Sequence, residues 1–313
     1  MISRHKALLF IFLLVTSTSV FAHFALQESN DSTPVKQEEK VKAAEKEEQP
    51  QEDKEAQNQK PVVMLPKALK EIYELDLKHY LPDDNFDNLM VGSDTHLALV
   101  NTHDSQAPKG VAILIPEWQQ PATSPQAINE LRQRLPKYGW TTISLQPIAK
   151  PENYPSIATE KSAKIAENKQ ALVEYRQQLA LLLTAALEKA KSFPGIIIIV
   201  AQGQNAAQVI TLLAQNQIDN PAAFIMLSAY MPTDEEITAS ANQLANLSLP
   251  VFDLYLKADH FKVPQNASVR HKKVKQMAKS QYRQTRLFNF NTGYYDNDAL
   301  IKQINGWLTS IGW

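Results

Sequence analysis

The sequence predicts a three-layer α/β fold: a mostly parallel sheet with helices on both faces. Three observations carry that expectation. Residues 196–213 (IIIIVAQGQNAAQVITLL) join an isoleucine-rich run, a tight turn and a helical segment without a break. Short apolar runs of strand length alternate with longer segments of helical period along most of the chain. The central runs, VAILI at 111–115 and IIIIV at 196–200, are apolar throughout rather than alternating, as strands buried on both faces are. Such sheets carry their ligands above the carboxyl ends of the strands.

Each element follows in order. Residues 66–81 form a short surface helix with Leu69, Ile72, Tyr73 and Leu77 on one face, stopped by Pro82, Asp83 and Asp84. Residues 95–101 and 111–115 are strands. Residues 124–135 are helical, with Ile128, Leu131 and Leu135 aligned, and 139–145 is the next strand. After a loop at 151–163, residues 164–193 carry apolar side chains at helical spacing, and Pro194-Gly195 ends them. Strands at 222–228 and 250–256 flank a helix at 233–247. Residues 266–282 are a basic helix, 285–291 the last strand and 297–311 a terminal helix.

Two segments precede this body. Residues 1–22 read as an export signal: Arg4, His5 and Lys6, then the apolar run ALLFIFLLV, then small residues at Val20 and Ala22 for cleavage. The run is shorter than the roughly twenty residues a spanning helix needs. The expected compartment is therefore the periplasm, with an uncleaved anchor as the competing reading. Residues 23–60 form a charged linker. From Gln27 to Lys60 it holds ten acids and six lysines and almost nothing that can pack, so disorder is expected. Residues 61–313 are the folded domain.

Charge and composition exclude several classes. With Arg4, Lys6 and the linker set aside, 24 basic and 23 acidic residues nearly balance, so no global charge favours nucleic acid. The absence of cysteine excludes disulfides, thiolate metal sites and cysteine nucleophiles. His79, His96, His103 and His271 show no metal-ligand spacing, and no phosphate-binding glycine motif is present, so neither metal nor cofactor is expected.

The turn at 201–205 (AQGQN) occupies the position at which many α/β enzymes lift a serine above the sheet in the pattern G-x-S-x-G. The order of elements from residue 95 to 313 resembles the α/β-hydrolase fold. More narrowly, the chain is similar to an uncharacterised family of exported bacterial proteins related to those hydrolases. The similarity rests on GVAILIPE at 110–117, GWTTISLQ at 139–146, QGQ at 202–204, YRQ at 282–284 and INGWL at 304–308. It implies a triad of nucleophile, acid and base at three strand ends. Here the nucleophile slot holds Gly203, which adopts the required φ > 0 without strain but carries no hydroxyl. Asp259 stands in the acid slot, where it is compatible with a triad acid and also with a cap or turn residue, the commoner fate of a lone Asp in a loop. No histidine follows His271, so the base slot is empty of imidazole; His260 is the one histidine near a strand end on that side. Glu117 and Trp118 replace the His-Gly expected near an oxyanion, and Glu117 places a negative charge there.

The expectation is accordingly a binding or scaffolding protein of the cell envelope. Glu117, Trp118, Gln202, Gly203 and Gln204 are the ligand-binding candidates, with backbone N–H groups at the helix start offered to a carboxylate, phosphate or carbonyl. A solvent-facing Glu117 with Trp118 packed on the rim is the plainer alternative. A periplasmic serine hydrolase, esterase or peptidase, with a non-standard nucleophile is the rival function. Ser228 is its nearest hydroxyl, and it reads as bonded to backbone. Arg270, Lys272, Lys273, Lys275 and Lys279, continuing to Arg283 and Arg286, form a basic run that either docks on an anionic surface or is a solvated helix face.

Overall fold

The computed structural model describes residues 66–82 and 85–313. The export signal at 1–22, the linker at 23–60, and Asp83 and Asp84 of the expected stop lie outside the described residues.

Eight strands form one sheet in the order β1-β2-β4-β3-β5-β6-β7-β8. They are β1 (Phe86–Val91), β2 (Asp94–Asn101), β3 (Gly110–Ile115), β4 (Trp140–Leu145), β5 (Ile196–Gln202), β6 (Ala223–Leu227), β7 (Val251–Leu256) and β8 (Tyr282–Leu287). β2 pairs antiparallel with β1 and β4; every other pairing is parallel. The helices are α1 (Leu69–Tyr80), α2 (Ile128–Arg134), α3 (Lys161–Ala190), α4 (Gly203–Ala214), α5 (Asp234–Ala245), α6 (Lys262–Gln276) and α7 (Asn297–Ser310).

Side chains of alternate residues leave a strand on opposite faces, and the core divides accordingly. Val111, Ile113 and Ile115 join Ile199 and Ala201 beneath Leu179, Leu183, Val209 and Ile210 of α3 and α4. Ala112, Leu114, Ile198 and Val200 pack on the other face against Leu131 of α2 and Leu300, Ile304 and Leu308 of α7. That is why the central runs are apolar at every position.

Several expectations are corrected. The strand β1 is missed because Asp87 and Asn88 break its apolar run; it is an edge strand with Met90 facing solvent. In α1 only Leu77 is buried, while Leu69 and Ile72 of the expected inner face are exposed. The helix expected at 124–135 begins at Ile128 and ends in a 3-10 turn, Leu135–Tyr138. The helix α6 starts at Lys262 and stops at Gln276, where Ala278 takes φ 51° and Lys279 N–H returns to the Val274 carbonyl. Alanine is no sequence stop signal, so nothing marked that end. Tyr282, read as its last residue, is the first of β8, and the strand expected at 285–291 runs from Tyr282 to Leu287.

The basic run is corrected most. Arg270 is only 2% exposed; its guanidinium grips Asp253 through Nε (2.8 Å) and Nη2 (2.9 Å) and donates to the Ala229 carbonyl (2.8 Å). Tyr282 and Gln284 also donate to Asp253, so the carboxylate is fully met inside the core. The Lys279 ammonium donates to the carbonyls of Leu247 and Leu249. Within the run from Arg270 to Lys279, Lys272 and Lys275 remain exposed and Lys273 half-buried.

Candidate active site cleft

The helix α4 begins directly at the end of β5. Gly203, its first residue, has φ +60°, a left-handed conformation that costs glycine nothing and an L-residue about 1–2 kcal/mol. The turn thus keeps the geometry of a nucleophile elbow. What fills it is unexpected. A Cβ added to Gly203 would overlap Oε2 of Glu117 outright. The Glu117 carboxylate lies where a nucleophile's side chain would begin.

Glu117 reaches this place because it follows β3, the strand beside β5. Both its oxygens accept from the Gln204 backbone N–H (3.1 and 2.9 Å), and Oε1 also accepts from Trp118 N–H (2.8 Å). The donor at the helix N-terminus is therefore already occupied by the chain itself. Burial pushes the Glu117 carboxyl up to about 7; the Trp118 and Gln204 N–H groups pull it down, Asp259 pushes it up and Lys150 lowers it. Glu117 does not face open solvent.

Neighbouring strand ends complete the cleft. The Gln204 side chain donates to the Tyr230 hydroxyl (3.0 Å), and Tyr230 stacks on His260 with ring centroids 4.7 Å apart. Burial, with the Glu117 charge, pushes the Tyr230 phenol up to about 12. Gln202, 4% exposed, donates to Gln126 (3.1 Å), leaving its Oε1 buried without a partner; Gln204 Oε1 is left the same way.

Ser228, directly after β6, has φ +50°, an uncommon conformation for a residue other than glycine. Its hydroxyl donates to Asp259 (2.6 Å) and lies 2.7 Å from the Tyr295 hydroxyl, so the expectation of a backbone-bonded Ser228 is corrected. Asp259 also accepts from the N–H groups of Leu256 and His260. His260 itself is exposed, and its Nδ1 accepts from Lys262 N–H (3.4 Å). Among the described residues, the hydrogen bonds of the cleft bring no serine to a histidine. Tyr295 occupies the segment after β8, its phenol raised far above its ordinary value by burial.

The structure thus brings Glu117, Gln202, Gly203, Gln204 and Asp259 to one end of the sheet. Trp118 is corrected: it is buried edge-on against Tyr154 (5.5 Å) and Tyr175 (5.1 Å) and offers no face to a ligand. Sequence reasoning missed Gln126, whose only signal was its place after β3 and before α2. Among the described residues no three histidine, aspartate or glutamate side chains converge as a metal would need.

A model of the DUF3530 family, described as proteins of unknown function, matches residues 7–310. The chain belongs to this family. No curated protein matches it in sequence. Among solved structures it is similar to a dienelactone hydrolase from Anabaena variabilis, at 10% identity and a TM-score of 0.51, over 72% of this chain and 96% of that one. Similar also are a carboxylesterase from Lactobacillus plantarum (14% identity, 72% and 97% covered, TM-score 0.49) and the esterase domain of a Rhodothermus marinus protein (11%, 71% and 96%, 0.47). Likeness at this identity concerns the fold, which is that of the α/β-hydrolases.

Proposed function

We propose that this member of the family is an exported, periplasmic protein that binds a ligand in the hydrolase cleft rather than cleaving one. The observation that carries the reading is the Glu117 carboxylate seated over Gly203 on the Gln204 N–H. A tetrahedral oxyanion needs that donor free and a positive environment; Glu117 supplies the reverse on both counts. The triad is degenerate as well, with Gly203 for the nucleophile and Tyr295 in the segment where an imidazole is needed. Loss of serine or histidine from a triad removes most of the chemical rate.

With its N–H donor consumed, the turn is left with acceptors: the Glu117 carboxylate fills it, and Oε1 of Gln202 and of Gln204 are buried without a donor. Such a lining suits a small molecule rich in N–H or O–H donors better than the carboxylate or phosphate expected from a bare helix start. The apolar leader and its small-residue cleavage site support export.

One observation favours the rival hydrolase: strained Ser228, hydrogen-bonded to Asp259. Labelling of the purified protein with a serine-directed fluorophosphonate decides between them. The binding reading expects no stoichiometric adduct. An adduct mapped to Ser228 and lost in Ser228→Ala would replace it with the hydrolase.

A further inference from the structure

The helix α3 is 30 residues long, about 45 Å, whereas the strands beneath it span about 20 Å. Of its first twelve residues only Asn168 and Leu172 are buried. Along this half, Lys161, Lys164, Ile165, Asn168, Lys169, Leu172 and Arg176 recur at spacings that place them on one helix face. That face forms one wall of a groove of about 380 Å³, whose floor and far wall come from α4, α5 and Met231. The lining surface is mainly apolar, and Ile165 within it is 41% exposed. The groove does not include Glu117, Gly203 or Asp259.

Its charge has a direction. Six charged side chains line it: Lys161, Lys164, Lys169, Arg176, Glu235 and Glu236. Lys161 pairs with Glu235 at 3.1 Å. Glu236 is held by Tyr154 and by the Thr233 cap; burial lowers the nearby Arg176 guanidinium from its ordinary value, and the Glu236 charge partly offsets that. Lys164 and Lys169 have no carboxylate within ion-pair distance among the described residues, so two unneutralised ammonium groups flank the α3 wall of the groove.

We infer that this groove binds a long-chain acyl anion, with the carboxylate at Lys164 and Lys169 and the chain along Ile165, Leu172, Ala207 and Met231. From Lys164 to Arg176 the wall runs about 18 Å, room for an extended chain. An apolar body matched to a trough and an anionic head matched to its lysines is the complementarity the lining offers.

The test uses the full folded chain and monomeric alkanoates below their micellar concentrations, followed by isothermal titration. Binding is expected to be one to one and to tighten about fourfold per added methylene from octanoate to dodecanoate. Dodecylammonium should bind at least tenfold more weakly than dodecanoate. Lys164→Glu with Lys169→Glu, both exposed positions, should weaken dodecanoate at least tenfold, and Ile165→Asp should do the same. Three results each overturn the inference: no saturable binding of dodecanoate, equal binding of the ammonium analogue, or affinity unchanged in both variants. Attachment to phosphatidylglycerol vesicles without monomer binding overturns it in favour of a membrane surface. A dimer dissociated by Ile165→Asp overturns it in favour of a second copy of the chain.

Discussion

Replacing Gly203 with alanine tests whether Glu117 occupies the elbow. The added methyl falls on Oε2, so the carboxylate must leave. Its charge-assisted bond to Gln204 N–H then breaks, a loss of about 1.5–3 kcal/mol. Holding alanine at φ +60° adds about 1–2 kcal/mol. The sum is about 2.5–5 kcal/mol, which for a domain of this size lowers Tm by about 5–20 °C at roughly 2–4 °C per kcal/mol. A double-mutant cycle isolates the contact. Glu117→Ala loses the same bond, so adding Gly203→Ala to it should cost only the backbone strain, about 1–2 kcal/mol. The two changes should therefore couple by about 1.5–3 kcal/mol in urea denaturation. Additive effects, or a Gly203→Ala protein melting within 2 °C or so of wild type, would refute the placement of Glu117 over the turn.

Other expectations concern Glu117, the buried ion pair and one helix cap. Glu117 titrates near 4.5 unfolded and about 7 folded, so between those values the native state holds the extra proton and stability falls as pH rises, by about 3 kcal/mol in all. Glu117→Gln removes that slope; its stability relative to wild type should rise by about this amount from pH 4 to pH 8, read from urea midpoints, and parallel profiles would contradict the shifted carboxyl. Arg270→Met strands Asp253 inside the core and should cost about 3–5 kcal/mol, with part recovered by Asp253→Leu in the same chain; a cost below about 1 kcal/mol in denaturant melts would contradict full burial of the pair. Thr233→Ala breaks a capping box at the start of α5 and should cost about 1 kcal/mol in the same assay, while Thr233→Ser should cost less.

The architecture was legible because its signals are local. An all-apolar run such as IIIIV at 196–200 is explicable only by burial on both faces, and the α7 stripe of Leu300, Ile301, Ile304 and Leu308 repeats at helical spacing without any knowledge of what it packs on. Where local pattern and tertiary setting diverged, the reading slipped. Strand β8 (YRQTRL) is polar because Tyr282 and Gln284 serve a buried carboxylate on the neighbouring strand, and no pattern within six residues reveals that. Arg270 looked like one more surface cation in a basic run; only the position of Asp253, seventeen residues earlier, makes it a core residue.

The same division runs through the cleft. By itself the sequence determined which chemical groups are available: a glycine at the elbow, an aspartate after β7, no histidine after His271, and an acid where a donor is wanted. Residue identity and chain order are enough for that, since a missing hydroxyl or imidazole cannot be supplied by folding. Which of those groups touch was decided only by the tertiary structure. Glu117 and Gln204 are 87 residues apart and meet because β3 and β5 are neighbours in the sheet; Ser228, Asp259 and Tyr295 meet because β6, β7 and the segment after β8 end side by side. Contacts between strand ends depend on the register and order of the sheet, which are set by the packing of the whole core and not by any stretch of chain short enough to read locally.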